Sequence, residues 1–507
     1  MKLKKIIKNI VLATALAIPV SSCSDWLEVD MEDGILEEAL YSDNEGFLTV
    51  LNGVYTNLNA TYSSFLGMGA IDVMAQYYNV QRNSAHPYYV YADYRYDDDK
   101  FDDASGAAWT KLYSLILNTN VLLEQCDKEN AAISPKYYNI VKGEALALRA
   151  MMHFDMLRLY GPIYNEVNAS QPAIPYLKDT ERKMQEILPA SKVIAYVLDD
   201  LKKASDLLKD DPARTDGINS SDAEDLRENN DFRYRQYRLN YYAVQGLLTR
   251  AYMWMGDKEK AYTTVSNLIT EIEENETFPW ATRTTIESTL PDRVFSTEVM
   301  FGLYNVNRNS LHRSLFDTSL EGNALTFVGG NSGEESKLES FYGDISKDDF
   351  RRKYLWESIT ESEKDPETGE LQITKETTSF KKFADVETTE HYRYMIPLMR
   401  VSEMYLALAE LTADKQEALS YINKVRLKRS VPDVVIAENV ELTSELLQQY
   451  ITEEFAREVI GEGQLFFYYK RHAMENFPAG TSVNATFNMN LTSYVVPLPT
   501  IETNNRD

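Results

Sequence analysis

The sequence predicts a mainly α fold, a tetratricopeptide-like α-hairpin superhelical core with irregular loop and short-strand insertions. Three observations carry that expectation. First, Tyr241, Val244, Leu248, Tyr252 and Met255 recur at steps of three and four, a Gly256-Asp257 turn follows, and Ala261, Val265, Leu268 and Ile272 repeat the pattern. This is the pattern of an antiparallel helical hairpin. Leu248, Tyr252 and Ala261 also match positions of the tetratricopeptide consensus, where large residues of one helix receive a small one from the next. Second, Met404, Leu408 and Leu411, then Ala418, Ile422 and Val425 across Thr412-Ala413-Asp414, make a further hairpin of the same kind. Third, residues 276–395 break the helical pattern with Pro279, Pro291, Gly329-Gly330, Gly333, Gly343 and Gly369, and read as an irregular excursion from a helical core.

From the N-terminus, Lys2, Lys4, Lys5 and Lys8 precede an apolar run from Ile10 to Val20 that is too short to span a bilayer as a helix, so residues 1–22 read as a signal peptide. The run ends in Val20-Ser21-Ser22-Cys23, which resembles a bacterial lipobox and makes Cys23 the expected lipidation site and mature N-terminus. Acyl chains there would tether the protein stably, since each buried methylene contributes about 0.8 kcal/mol. No later stretch approaches 18 uninterrupted apolar residues. With Cys23 acylated, Cys126 has no disulfide partner. Residues 23–45 form an acidic tether, and residues 46–507 a single domain with an N-terminal half to about 235 and a C-terminal half from about 236.

Within that domain, Trp109, Leu112, Ile116 and Leu123 share one helix face, and Leu148, Met152, Met156 and Leu159 share another on a helix that stops at Gly161-Pro162. Ile194, Val197, Leu201, Ala204 and Leu208 mark a third helix, after which residues 209–235 turn polar and Asn-rich and read as a surface loop. The tail 476–507 bears Pro and Asn and reads as extended chain.

Composition narrows the function. The 507 residues are 44% hydrophobic and 26% charged, which suits a globular domain and excludes disorder and collagen-like order. A net charge of −26 repels phosphate backbones and makes nucleic acid an unsuitable partner. The five His form no His-Glu-x-x-His pair, Gly329-Gly330-Asn331-Ser332-Gly333 lacks a Gly-x-Ser-x-Gly register, and Gly461-Glu462-Gly463 lacks the third glycine of a dinucleotide loop. Carboxylate pairs for glycoside hydrolysis are uninformative among 78 acids. The chain therefore reads as a binding protein without cofactor rather than an enzyme. Asp97-Asp98-Asp99-Lys100-Phe101-Asp102-Asp103 lacks the alternation and glycine of a calcium loop and reads as a solvated acidic loop, with no metal.

Tyrosine is in excess, at 34 residues, and seven fall between 76 and 96. Sugar rings offer apolar faces and hydroxyl rims, so a glycan site needs flat aromatic platforms beside amide and guanidinium groups. Tyr77, Tyr78, Asn79, Arg82, Tyr88, Tyr89 and Tyr91 supply both, although any one of these tyrosines is more often a packing residue.

Several landmarks resemble, in order, the SusD/RagB family, surface lipoproteins that partner TonB-dependent nutrient transporters in Bacteroidetes. They are Asn52-Gly53-Val54-Tyr55; Trp109 with Leu112-Tyr113, Ile116 and Asn120; Gly143-Glu144-Ala145 through Arg149-Ala150 to Leu159-Tyr160-Gly161; Tyr405 to Glu410; Ile422 to Arg426; Glu454, Arg457-Glu458 and Glu462-Gly463; Lys470-Arg471; and Pro497-Leu498-Pro499 with Glu502. The chain departs from the pattern at Gln464, Leu465 and Tyr468, where a structural polar network is expected to be altered. The resemblance implies a core of four tetratricopeptide-like hairpins, an outer-membrane location facing outside, an oligosaccharide ligand and a SusC-like TonB-dependent transporter as partner. It also implies an aromatic arc shared between the early loop and the excursion, with Trp280, Arg283, Tyr304, Asn305 and Asn307 as the excursion's candidates. In such lipoproteins an acidic stretch after the cysteine resembles a surface-export signal, and a solvated linker is the other reading. Peptides remain an alternative ligand class, and a surface glycosidase or protease or a ligand-free scaffold the alternative functions.

Overall fold

The computed structural model describes residues 39–506 apart from 81–84, 182, 219–229, 330–335, 344–346 and 365–370. The leader, Cys23, most of the acidic tether and Arg82 lie outside the described residues. Among those described, no helix is long and apolar enough to cross a membrane.

The fold is mainly α. Its principal helices are α1 Asn44–Tyr62, α2 Asp99–Cys126, α3 Pro135–Tyr160, α4 Ala190–Leu207, α5 Tyr241–Met255, α6 Lys258–Asn275, α7 Val401–Leu411, α8 Lys415–Lys428, α9 Ser444–Val459 and α10 Leu465–Arg471. Each forms for a readable reason. Phe47, Leu51, Val54, Leu58 and Tyr62 of α1 are buried at helical spacing, and Asp43 caps the helix by accepting from the Gly46 amide. The acidic run at 97–103, expected to be a solvated loop, is instead the cap and first turn of α2. Asp98 accepts from the Lys100 amide, and Asp99 and Asp102 sit where the helix dipole favours negative charge.

The two hairpins fold as their spacing predicts. Gly256 closes α5 at φ +80°, and Asp257 begins α6 by accepting from the Lys260 amide. Asp414 starts α8 by accepting from the amides of Gln416 and Glu417. Helix α3 is buried on all sides from Gly143 to Tyr160 and runs between α2 and α4 as the spine of the N-terminal half.

The excursion leaves and re-enters the core through one antiparallel ladder, β1 Val299–Tyr304 with β2 Met395–Arg400. Between them lie short helices and a three-stranded sheet of Thr326–Phe327, Leu371–Phe380 and Trp356–Lys364. The tail is less extended than expected. It forms a small hairpin, β3 Asn476–Pro478 with β4 Thr486–Asn488, and ends in a helical turn whose Glu502 accepts from the Trp109 indole at 3.2 Å.

The segment 209–235 is not wholly a surface loop. Asp211 and Arg235 are fully buried, and the Arg235 guanidinium joins Asp211 to Glu144 on α3. A buried arginine is held by the two carboxylates that offset its desolvation.

A second ionic cluster sits where the excursion meets the C-terminal helices. Arg429 donates to Glu298 at 2.8 and 2.6 Å and to Glu458 at 2.7 and 2.9 Å. Arg400 reaches Glu458 and Glu462, Arg351 reaches Asp349, Glu454 and Glu458, and Lys382 reaches Glu462. At the departures from the family pattern, Gln464 accepts from Arg158 at 3.1 Å, and the Tyr468 hydroxyl accepts from Gln448 at 2.7 Å. Burial raises the Glu458 carboxyl, but Arg429, Arg400 and Arg351 outweigh it and hold that carboxyl well below its ordinary value. Glu410 is held low in the same way, against burial, by Arg471 and His472. Because the folded-state values lie below the unfolded value near 4.5, these ion pairs stabilise the fold above that pH. Stability is expected to fall as pH drops below about 4.5 towards 3, as read by denaturant midpoints across that range.

Candidate ligand-binding site

The sequence-predicted residues fall in separate places. Tyr77 and Tyr78 are core residues at 3% and 2% exposure rather than platforms. The Tyr77 hydroxyl donates to the Ala456 carbonyl at 2.6 Å, and the Tyr78 ring packs on Phe316 and Phe327. Tyr89 and Tyr91 are buried as well, Tyr89 donating to Asp98 at 2.5 Å and Tyr91 packing on Phe65 and Phe101. Tyr88 is half-buried against Tyr91, and Asn79 donates its amide to the Thr326 carbonyl at 2.7 Å. Most of these rings therefore pack inward and secure the early loop to the core.

Trp280 is half-buried, its ring 5.3 Å from Tyr405 and over the Arg429 guanidinium, so it covers the ionic cluster. Arg283 is exposed and pairs with Glu287 at 2.9 Å. Tyr304 ends β1 as expected and is 48% exposed. Its ring meets Tyr237 at 5.5 Å and Tyr394 at 5.3 Å, and the Tyr237 hydroxyl donates to the His391 carbonyl at 3.0 Å. Asn305 is 8% exposed and donates to Ser63 at 2.9 Å, while the Asn307 amide donates to the Asn305 side chain. Together these rings form a surface cluster, Tyr237 edge-on to Tyr304 at 88° and Tyr394 tilted at 60°.

A concave site lies elsewhere, in an open cavity of about 600 Å³ assembled from several separate segments. Its walls are Ala75–Tyr77, the short helix Lys337–Tyr342, the face of α9 carrying Thr452, Glu453, Ala456 and Arg457, and the β3–β4 hairpin, closed by Leu465 and Tyr469 of α10. Hydrogen bonds lace the pieces together around the opening. Tyr77 ties the early segment to α9, Arg457 donates from α9 to the Phe341 carbonyl at 2.8 Å, and Lys337 donates to the Ala479 carbonyl at 2.9 Å. The hairpin loop can press on the early segment because Gly480 has no side chain. A Cβ there would stand 2.2 Å from the Tyr78 carbonyl oxygen.

The lining suits a ring-bearing polar ligand. Tyr469 and Phe477 stack at 4.3 Å, and Phe477 continues onto Phe487 at 5.5 Å. Phe341 is half-buried and meets Tyr77, Phe327 and Tyr342 in edge-to-face geometry at 6.1, 5.4 and 5.0 Å. Asn476, Asn484, Thr486 and Gln76 place amides and a hydroxyl at the walls. The volume lies within the range of small-molecule sites. Among the described residues, no group of three or more His, Cys, Asp or Glu side chains is placed to hold a metal ion.

Of the predicted residues, only Tyr77 lines this cavity. Phe341, Lys337, Arg457, Tyr469 and Phe477 were missed, and singly they carry no motif. For the Tyr304 cluster a signal did exist: His391-Tyr392-Arg393-Tyr394 has the same mixture of rings and cations as the early loop.

Comparison with known proteins agrees with the architecture. Residues 25–221 match a SusD-like family described as starch-binding and associating with the outer membrane, and residues 316–505 match the SusD family. A crystallised SusD homolog from Bacteroides thetaiotaomicron shares 17% identity at a TM-score of 0.64, over 92% of this chain and 97% of that one. A SusD-like carbohydrate binding protein from Bacteroides vulgatus shares 20% identity at 0.58, over 85% and 84%. A SusD superfamily protein from Bacteroides thetaiotaomicron shares 20% at 0.60, over 91% and 98%. At these identities the solved structures speak to the fold alone. No match is found among curated proteins.

Proposed function

We infer that this chain, which belongs to the SusD/RagB family, captures oligosaccharide at the cell surface and delivers it to a SusC-like TonB-dependent transporter without cleaving it. Lipidation at Cys23 would anchor it to the outer membrane, with the acidic tether spacing the domain from the bilayer. The observation that carries the reading is the aromatic-lined cavity, where Phe341 offers a flat apolar surface beside amide and cationic groups. A sugar ring stacks on such a surface through its C–H face while its hydroxyls pair with the polar walls, so rings supply affinity and amides specificity. Capture and hand-over require no chemical step.

The test is an affinity screen of residues 24–507 against polysaccharides and peptides in parallel, by gel retardation and calorimetry. Saturable binding of a glycan, recovered at unchanged mass after prolonged incubation, is the expected result. Binding of peptides alone would keep the fold and replace the substrate, and new fragments of a captured ligand would overturn the non-enzymatic reading.

A further inference from the structure

Among the described residues three lysines are deeply buried, and Lys337, on the cavity wall, has the fewest hydrogen-bond partners of the three. Lys382 pairs with Glu462 at 2.6 Å and also donates to the Ile460 carbonyl. Lys470 donates to two carbonyls, Leu159 at 3.0 Å and Gly161 at 2.7 Å, at the C-terminal end of α3, where the helix dipole favours a cation. Lys337 is 4% exposed, and its ammonium has one partner among the described residues, the Ala479 carbonyl. An ammonium carries three donors, so two are left over. It also stands at the first position of the helix Lys337–Tyr342, the end at which a cation is disfavoured.

Among the described residues no carboxylate pairs with it, and burial lowers the pKa of Lys337 to about 8, which leaves it protonated at neutral pH. The one acid on the cavity wall, Glu453, is engaged elsewhere, accepting from Gln449 at 2.8 Å and pairing with Arg457 at 3.3 Å. A buried cation with no counter-ion among the described residues, on the wall of an open cavity of ring-accommodating size, is a site whose counter-ion arrives with the ligand.

We propose that the cavity selects a carboxylate-bearing saccharide, a uronic-acid oligosaccharide whose carboxylate pairs with the Lys337 ammonium while a ring of the same chain lies on Phe341. The proposal rests on the capture reading above and adds the substrate class. It also accounts for how a chain of net charge −26 would take up an anionic polymer: the attraction is local, and the acidic surface outside the cavity disfavours binding of the polymer anywhere else.

The experiment is calorimetry of residues 24–507 with oligosaccharides of galacturonate, glucuronate and mannuronate, each set against its carboxyl-reduced counterpart of the same linkage and length. The acid form of at least one is expected to bind 10-fold or more tightly than its reduced form. Lys337→Met is expected to abolish that preference without lowering the unfolding midpoint, and Lys337→Arg to restore part of it. Equal or tighter binding of the reduced forms, binding of neutral glycans only, or a preference that survives Lys337→Met would overturn the proposal and leave the capture reading standing. Displacement of the ligand by an acidic peptide but by no uronate would overturn the saccharide class. Absence of binding to any saccharide would overturn both readings.

Discussion

Replacing Arg429 with Ala is expected to destabilise the fold by about 3–5 kcal/mol, the scale for removing one partner of a buried ion pair. Arg429 is fully buried and joins Glu298 to both oxygens of Glu458 through four hydrogen bonds. Its loss leaves the Glu298 carboxylate with Arg400 at 3.7 Å as its remaining cation, while Glu458 retains Arg400 and Arg351. Trp280 and Phe295 lose the guanidinium on which their rings rest. The large cost is the desolvation of carboxylates left behind, not the intrinsic value of the pair. Denaturant unfolding of Arg429→Ala against the parent chain measures it, and a loss under about 1 kcal/mol would mean that water or a rearranged arginine fills the gap. Arg429→Ala with Glu298→Gln should recover part of the loss, because the second change removes one of the abandoned charges.

Phe341→Ala is expected to weaken glycan binding by about 2 kcal/mol, roughly 30-fold, while Tyr304→Ala leaves affinity within about 2-fold. The contrast separates the two aromatic surfaces. Phe341 lies on the cavity wall, and its carbonyl, which holds Arg457, survives the substitution. Tyr304 stands outside the cavity, in a surface cluster with Tyr237 and Tyr394. Calorimetry of both variants with the glycan that the parent chain binds decides the matter. The reverse order of effects would move the site to the cluster of Tyr237, Tyr304 and Tyr394.

The helical core was legible because its signals are local. A periodic apolar face, Asn240, Asp257 and Asp414 at the starts of α5, α6 and α8, and Gly256 after α5 are all read within a few residues of where they act. Residues 209–235 were misread because composition is local and burial is not. Asp211 and Arg235 look like loop residues until Glu144, far back in the chain, comes to meet them. The early tyrosines failed as platforms for a related reason. A tyrosine whose hydroxyl finds a backbone carbonyl, as Tyr77 finds Ala456, packs inside as readily as a phenylalanine, and no pattern within 76–96 reveals that partner. The cavity was the least legible feature. Its walls come from several separate stretches of chain, and Lys337 becomes unusual only through the carboxylates that fail to surround it.

The β1–β2 ladder has an evolutionary consequence. Because Val299 pairs with Arg400 and Tyr304 with Met395, everything between Tyr304 and Met395 is a closed insert whose two ends are stitched together before it begins. Doubling the length of such a loop costs only about 0.6 kcal/mol in closure entropy. The Lys337–Tyr342 wall of the cavity lies in this insert and can thus be lengthened, shortened or exchanged while the ladder holds the helices outside it in register. A lineage can retune what it captures without having to re-solve how it folds.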